Sequence, residues 1–504
     1  MQTLVRWIGR RCLRWFYREC CFVGVDRIPA RGPVMLIGNH SNDLPDPLCG
    51  FLSTPRPVHY VATISGASSP ISQAVYRGLG IIPVTRVRDG RKMLEQGVDA
   101  AAMNADAFRL VTEVLRQHGV VGIFPEGGVH EGPTLGHFRA GVAKMALDSA
   151  ATVADSGLQV VAIGVQYDAP ATPRSDMTVA ISAPIDVSRW LAERRESDRV
   201  AHAPDPDPDP DPDPDRNQPG RDAGREGAKL AFAMRDLMRD ALMSVTRNAP
   251  TWQLAAARDR LVAGVAAVIC SPSESVMEIA SRIQSECESV IEERSDAGDT
   301  RSETLPDTLP DTLAQLADSI AAAVERAGGI PSSPRDTARV LSAAGVTGGA
   351  PAWPSLANSV AVAPFALLGW LLHGPAFAYV WRQAQRTARD RTEIVARAFL
   401  PGLYLILCWY LALGLFFAVG LYAIGQSTWF AIPAVMLLPR LGDLALSWRD
   451  AIDALRLRRR VANWLESDRA PLRSSAGALR AAWTSHISGS AVKAAAYIVT
   501  EASS

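Results

Sequence analysis

Between Arg397 and Arg440 the chain carries no charged residue, and this stretch limits what it can fold into more than any other feature. Lipid offers a backbone no hydrogen-bond partners, so a segment inside it must close its own amides as a helix. A helix crosses the hydrocarbon with about 20 residues. The stretch therefore predicts two transmembrane helices, 398–424 and 427–447, joined near Gly425-Gln426-Ser427. Both outer ends then face one side. Arg382, Arg386, Arg389 and Arg391 precede the pair, and Arg456, Arg458, Arg459 and Arg460 follow it, which places that side in the cytoplasm by the positive-inside rule. An earlier apolar segment, 355–382, is interrupted by Pro364 and by Gly374-Pro375. Those breaks predict a re-entrant or interfacial helix pair. Residues 448–504 are expected to form a cytoplasmic helical tail.

The N-terminal part obeys a different pattern. Residues 1–22 set Arg6, Arg10, Arg14 and Arg18 at four-residue steps, with Leu4, Ile8, Cys12 and Trp15 on another side. This is a basic amphipathic helix, packed on the following domain, touching a membrane, or both. Its arginines interrupt the apolar centre that a cleaved signal peptide needs. Within 23–200, β-like runs at 34–37, 58–63, 120–124, 160–167 and 177–181 alternate with helical stretches such as 99–117. That alternation predicts an α/β domain, a mixed sheet covered by helices. In the linker 201–226, proline alternates with aspartate from Pro204 to Asp215, which fixes an extended, solvated spacer. Residues 227–340 return to helical periodicity, with a polar loop at 294–311. The 52 basic and 52 acidic residues cancel, which argues against nucleic acid as a partner. Seven cysteines without paired metal-ligand spacing suggest a reducing compartment and no metal site.

Three blocks in the α/β region end apolar runs on side chains that can do chemistry. The run Pro33 to Ile37 leads into Gly38-Asn39-His40-Ser41-Asn42-Asp43-Leu44-Pro45-Asp46-Pro47. A histidine followed by a carboxylate offers a general base and the group that orients it; both Asp46 and Asp43 are near enough in sequence to serve. Gly80-Ile81-Ile82-Pro83-Val84-Thr85-Arg86 ends on a guanidinium, whose planar fork suits a phosphate. Gly122-Ile123-Phe124-Pro125-Glu126-Gly127-Gly128 supplies a second carboxylate beside glycines that let backbone approach a substrate. His130 follows, either to assist binding or to hold the loop. Open α/β sheets gather ligands at strand ends such as these. No nucleotide-binding glycine loop is present in the sequence.

As a set, the blocks resemble the motifs of the phospholipid/glycerol acyltransferase family, which read NH-x4-D, G-x-x-P-V-x-R and F-P-E-G. The histidine-to-aspartate spacing is one residue longer here. His40, Asn42, Asp46 and Pro47 are similar to the H-x-N-x-x-x-D-P pattern of a subgroup resembling fungal glycerol-3-phosphate/dihydroxyacetone-phosphate acyltransferases. Arg139 stands where the family usually has lysine, and the proline of the family's last motif is missing from Val160 to Val165. The resemblance implies a glycerolipid acyltransferase-like α/β fold, followed by a helical region and C-terminal transmembrane helices. It implies His40 as catalytic base and Asp46 as its partner, with Gly80, Pro83, Arg86, Phe124, Pro125, Glu126 and Gly127 binding substrate. Arg86 would hold the acceptor phosphate and Glu126 its hydroxyls. The implied reaction moves a fatty acyl group to glycerol 3-phosphate or dihydroxyacetone phosphate in phospholipid biosynthesis. Acyl-CoA or acyl-carrier protein would be co-substrate, no cofactor would be needed, and the catalytic domain would lie on the cytoplasmic face of a multi-pass membrane protein. Two alternatives are a lysophosphatidate (1-acylglycerol-3-phosphate) acyltransferase, with the same machinery and another acceptor, and a non-catalytic lipid-binding scaffold, which a turnover assay separates.

Overall fold

The apolar runs of the N-terminal half pair into one mixed sheet of eight strands among the described residues. The structure, a computed structural model, describes residues 1–63, 70–85, 99–153, 157–201, 219–271, 274–284, 309–346 and 353–485. The strands are β1 (Glu19–Val23), β2 (Val34–Gly38), β3 (Val58–Thr63), β4 (Ile82–Val84), β5 (Val120–Ile123), β6 (Gln159–Tyr167), β7 (Asp176–Ile181) and β8 (Ile185–Asp186). Their order is β1-β7-β6-β2-β5-β3-β4, with β8 beside β6. β2 lies parallel between β5 and β6, while β6 runs antiparallel to β7 and β8. Every residue of β2 and β5 is buried. This is the expected fate of continuous Val/Ile/Leu runs in a sheet covered on both faces.

Helices supply the two covers: α1 (Gln2–Phe16), α2 (Pro45–Ser53), α3 (Pro70–Leu79), α4 (Ala100–Arg116), α5 (Ala140–Thr152), α6 (Val187–Ala201) and α7 (Pro219–Met243). On one face Val111 and Leu115 of α4, Met145 of α5, and Met238 and Leu242 of α7 pack on Met35, Val121 and Val160. On the other, Leu13 and Phe16 of α1 and Leu48 and Phe51 of α2 meet Leu36, Val120 and Val161. The basic helix is thus docked. Leu13 and Phe16 are buried, and Gln2 bonds the backbone of Val58 and Leu79. Met1, Leu4 and Trp7 stay exposed.

Two boundaries differ from the sequence reading. Residues 19–22, assigned to the amphipathic helix, are in β1, because Cys20 to Val23 find a parallel partner in β7. The linker read at 201–226 ends earlier, since α7 starts at Pro219 and its far end belongs to the core of the α/β domain. The Pro-Asp run 204–215 and most of the polar loop, 294–308, lie outside the described residues.

Beyond α7 come α8 (Trp252–Ile269), α9 (Leu309–Ala327), α10 (Pro334–Ala343), α11 (Leu356–Thr387), α12 (Arg391–Ala423), α13 (Ala431–Ala462) and α14 (Glu466–Ser485). α8, α9 and α10 share one hydrophobic core with Leu457 and Val461 of α13 and Leu472 and Leu479 of α14. The described part of the C-terminal tail, to Ser485, is therefore part of the helical region rather than an appendage. Arg18 bridges this region to the sheet through Asp176 and through Asp336 at 2.9 Å.

Among the described residues three helices are long and apolar enough to cross a membrane: α11, α12, and α13 with the turn before it. The segment read as a broken pair at 355–382 is one continuous helix, with Pro364 and Pro375 inside it. Carbonyls beside the second break gain side-chain donors, Trp409 Nε1 reaching Leu372 O at 2.6 Å. Such rescue is how helices in apolar surroundings tolerate proline. Arg440 and Asp443 fall inside the span read at 427–447, and Asp443 pairs with Arg11 of α1 at 2.7 Å. The charge-free part of that span ends at Pro439.

Candidate active site

β2 and β5 are neighbours at the centre of the sheet and end on the same side, so the residues that leave them meet. After Gly38 the chain is pinned by Asn39, whose amide bonds both Val165 N (2.7 Å) and Val165 O (3.0 Å) on β6. His40 follows. Pro45 then starts α2, its fixed φ suiting the first turn of a helix, and Asp46 enters that turn with its carboxylate at the positive end of the helix.

Asp46 is almost completely buried and saturated with donors. Asn42 N donates to Oδ2 at 2.7 Å, Tyr167 Oη to Oδ1 at 2.6 Å, and His40 Nδ1 lies 3.0 Å from Oδ2. A carboxylate held by a backbone amide and a phenol is an acceptor, so the proton of the neutral imidazole sits on Nδ1. Nε2 is left with a lone pair. Asp43 does not make this contact. Its surface is exposed, and the desolvation it does suffer pushes its pKa up against the pull of His40.

Phe124, the last residue of the β5 run, stacks on the His40 ring with centroids 4.2 Å apart, and Tyr60 stacks on its far side. Phe124 therefore fixes the plane of the imidazole. The next residues turn sharply: Gly127 N donates to Phe124 O at 3.0 Å, and Gly127 has φ +71°. That φ favours glycine, and a Cβ there would also displace the Arg139 side chain, whose Nε would lie 2.4 Å away. The amide of Gly127 is thus committed to the turn, contrary to the expectation that it faces substrate.

The turn aims Glu126 inward, 8% exposed. His130 Nε2 lies 2.5 Å from its Oε2, at ion-pair distance without hydrogen-bond alignment, and neither Glu126 oxygen has a hydrogen-bond partner among the described residues. A buried carboxylate in that condition costs stability unless a ligand supplies donors. Glu126 raises the His130 pKa, and partial burial opposes it. His130 N also donates to His40 O at 3.1 Å, tying the two motifs together.

The structure therefore brings His40, Asp46, Phe124, Pro125 and Glu126 into one place. Pro83 is elsewhere, on the edge strand β4, two strands from β5 and so roughly 10 Å away, and Gly80 lies in the turn that leads into that strand. Gly80 has φ +68° and its carbonyl accepts from His59 Nδ1 at 2.9 Å, a turn-forming role. Arg86 lies outside the described residues. The sequence reading missed Tyr167, the third partner of Asp46; its only signal was its place at the end of an apolar run. It also missed the first turn of α12, where Arg391 N donates to Glu131 Oε1 at 2.8 Å and Val395 and Phe399 join the core beneath α1.

Residues 19–166 match the family model described as Acyltransferase. The chain is 22% identical over 324 residues to an uncharacterized acyltransferase of Schizosaccharomyces pombe, covering 49% of this chain and 44% of that protein. It is 44% identical over 64 residues to glycerol-3-phosphate O-acyltransferase 2 of Saccharomyces cerevisiae, covering 13% of this chain and 9% of that one. Glycerol-3-phosphate O-acyltransferase 1 of the same yeast is 34% identical over 87 residues, 17% and 12% of the two chains. The chain thus spans less than half the length of these curated relatives. Among solved structures, the 1-acyl-sn-glycerophosphate acyltransferase of Thermotoga maritima aligns with a TM-score of 0.29 at 15% identity, over 40% of this chain and 80% of that one.

Proposed function

Taking residues 19–166 as an acyltransferase-family domain, we propose that the protein transfers a fatty acyl group from acyl-CoA or acyl-carrier protein to a hydroxyl of glycerol 3-phosphate or dihydroxyacetone phosphate. The observation that carries this reading is the pairing of an oriented base with an unsatisfied carboxylate. Nε2 of His40 is free to take a proton, and Glu126 is buried with His130 at ion-pair distance but no aligned hydrogen bond, so an acceptor hydroxyl can donate to it.

In the proposed mechanism Nε2 takes the hydroxyl proton as the acceptor oxygen attacks the thioester carbonyl. Asp46 stabilises the imidazolium that forms and keeps it in register. When the carbon–sulfur bond breaks, the imidazolium returns the proton to the departing thiolate, and ester and free thiol leave. The step uses no resident cofactor. Arg86 is proposed to bind the acceptor phosphate. The yeast relatives named as glycerol-3-phosphate acyltransferases support that acceptor.

The same reading places the domain on the cytoplasmic face of a membrane. Two packing facts support an even number of crossings between residues 353 and 462. The helices before α11 and after α13 share one core, so they occupy one side. The residues joining α11 to α12 are also on that side, since Val395 and Phe399 pack under α1. α11 then begins and ends on the side of the catalytic domain, and the α12–α13 hairpin is the part that enters the bilayer. An assay of purified membranes with labelled acyl-CoA and a panel of acceptors tests the substrate. Turnover on glycerol phosphates supports the proposal, and turnover confined to lysophosphatidate assigns the alternative acceptor.

A further inference from the structure

Two cavities meet where α1 crosses the base of the long helices. The first, about 530 Å³, lies between α1, α11, α12 and α13, open on one side and walled by aromatic rings, Trp15, Phe16, Phe377, Trp381 and Phe399 among them. Gly402 and Gly442 line it and let the helices approach closely, since a Cβ at either would stand 3.2 Å from Val380 or 3.3 Å from His373. The second, about 660 Å³, is a polar cleft between α1 and α13. Trp15, Arg174 and Leu446 line both, so the cleft opens onto the apolar chamber.

Charge in the cleft is unbalanced. Six arginines line it against three carboxylates. Each carboxylate is already matched: Asp443 by Arg11, Asp450 by Arg174, and Glu19 by Arg335 from outside the cleft. Arg18 is held by Asp176 and Asp336. Arg10, Arg14 and Arg440 have no ion pair among the described residues, and Arg11 Nε is buried without a hydrogen-bond partner. Arg10 and Arg14, four apart on α1, share a face. Beside them Trp7 is 63% exposed, and on α13 the exposed Met436 and Leu437 lead directly to Arg440. Uncompensated guanidinium groups at the edge of an apolar helix surface are where an anionic headgroup meets hydrocarbon.

We propose that this pair of cavities binds one anionic glycerophospholipid of the surrounding bilayer, its phosphate held by Arg10, Arg14 and Arg440 and one acyl chain in the aromatic chamber. The site rests on the membrane reading of the helices but not on the transfer chemistry. It is separate from His40, behind the wall made by Phe16 and Tyr17. That wall is not inert: Asn42 Nδ2 donates to Tyr17 Oη at 3.3 Å, and the amide of Asn42 holds Asp46. Lipid in the chamber therefore packs against Phe16, whose ring stands edge-on to Tyr17 at 4.8 Å, and Tyr17 in turn touches the support of the carboxylate.

The test is lipid retention by the full chain, purified in a neutral maltoside and equilibrated with mixed micelles of phosphatidylglycerol or phosphatidylcholine, then read by native mass spectrometry. The expected result is one phosphatidylglycerol per protein, with phosphatidylcholine retained at least about tenfold less. Arg10→Gln/Arg14→Gln/Arg440→Gln, three exposed positions, should lower phosphatidylglycerol retention by about tenfold or more. Ala376→Phe, which fills the chamber, should lower it with the arginines intact. Equal retention of the two lipids, or unchanged retention by both variants, overturns the proposal. So does stoichiometric displacement by acyl-CoA, which would give the chamber to the donor chain, or by glycerol phosphate, which would give the cleft to a soluble ligand.

Discussion

Arg391 donates its backbone amide to the carboxylate of Glu131 across 2.8 Å, and so joins the first turn of a membrane-seeking helix to the loop that carries Glu126 and His130. The loop of Glu126 and His130 and the base of the α12–α13 hairpin are thus directly bonded. An acyl chain arriving from the bilayer would meet the His40 site at that junction.

Asp46, not Asp43, is the partner of His40, and Tyr167 steadies it. Asp46→Asn should slow transfer by roughly 100-fold or more, the scale of impaired base catalysis. Asp43→Asn should cost far less. Tyr167→Phe removes one hydrogen bond to a charged group, about 1.5–3 kcal/mol, and should lower kcat by roughly tenfold or more with the KM for either substrate little changed. Steady-state kinetics on the three variants decides, and a larger loss at Asp43 would mean that the pairing is misassigned.

Arg86 is proposed to grip the acceptor phosphate through its bidentate fork. Arg86→Lys keeps the charge and loses the fork, so the acceptor KM should rise while the donor KM stays put. If neither KM moves, the phosphate is bound by another cation.

Glu126 holds the pKa of His130 above the ordinary histidine value. In the unfolded chain His130 lacks that partner, so the pair's contribution to stability is complete below about pH 6.5 and is lost as pH rises through the raised folded value. The Tm advantage of the native protein over His130→Gln should be largest near about pH 6 and shrink toward about pH 8. A gap that widens with pH would show that the imidazole acts as a neutral strut.

The sequence made the central strands and the three motif blocks legible because each is local: a run of β-branched residues ending on a histidine, a carboxylate or a guanidinium. It did not reveal Tyr167, which lies 121 residues from Asp46 and meets it only because β6 pairs with β2. Nor did it reveal that α11 stays whole. Proline breaks are read from local rules, whereas Trp409 reaches the Leu372 carbonyl beside Pro375 from a neighbouring helix. β1 was hidden because Glu19 to Val23 continues an amphipathic pattern and becomes a strand only when β7 is available.

The proposed topology rests on shared cores as well as on hydropathy. Cysteines placed singly at Thr387 and Ser474 in a cysteine-free chain should both escape an impermeant reagent in intact cells and both react after permeabilisation. Labelling of Ser474 but not Thr387 from outside would mean an odd number of crossings between them, which the joint core of α9, α13 and α14, taken with the packing of Val395 and Phe399 under α1, argues against.

The central claim is that His40 removes the proton from a glycerol phosphate hydroxyl, and transfer of labelled acyl groups from acyl-CoA to glycerol 3-phosphate tests it most directly. Full-chain protein in purified membranes should give saturable lysophosphatidate formation, and His40→Ala, inserted to the same level, should be slower by roughly 100-fold or more. An undiminished rate in His40→Ala, or no transfer by the native protein to any glycerol phosphate, contradicts the account.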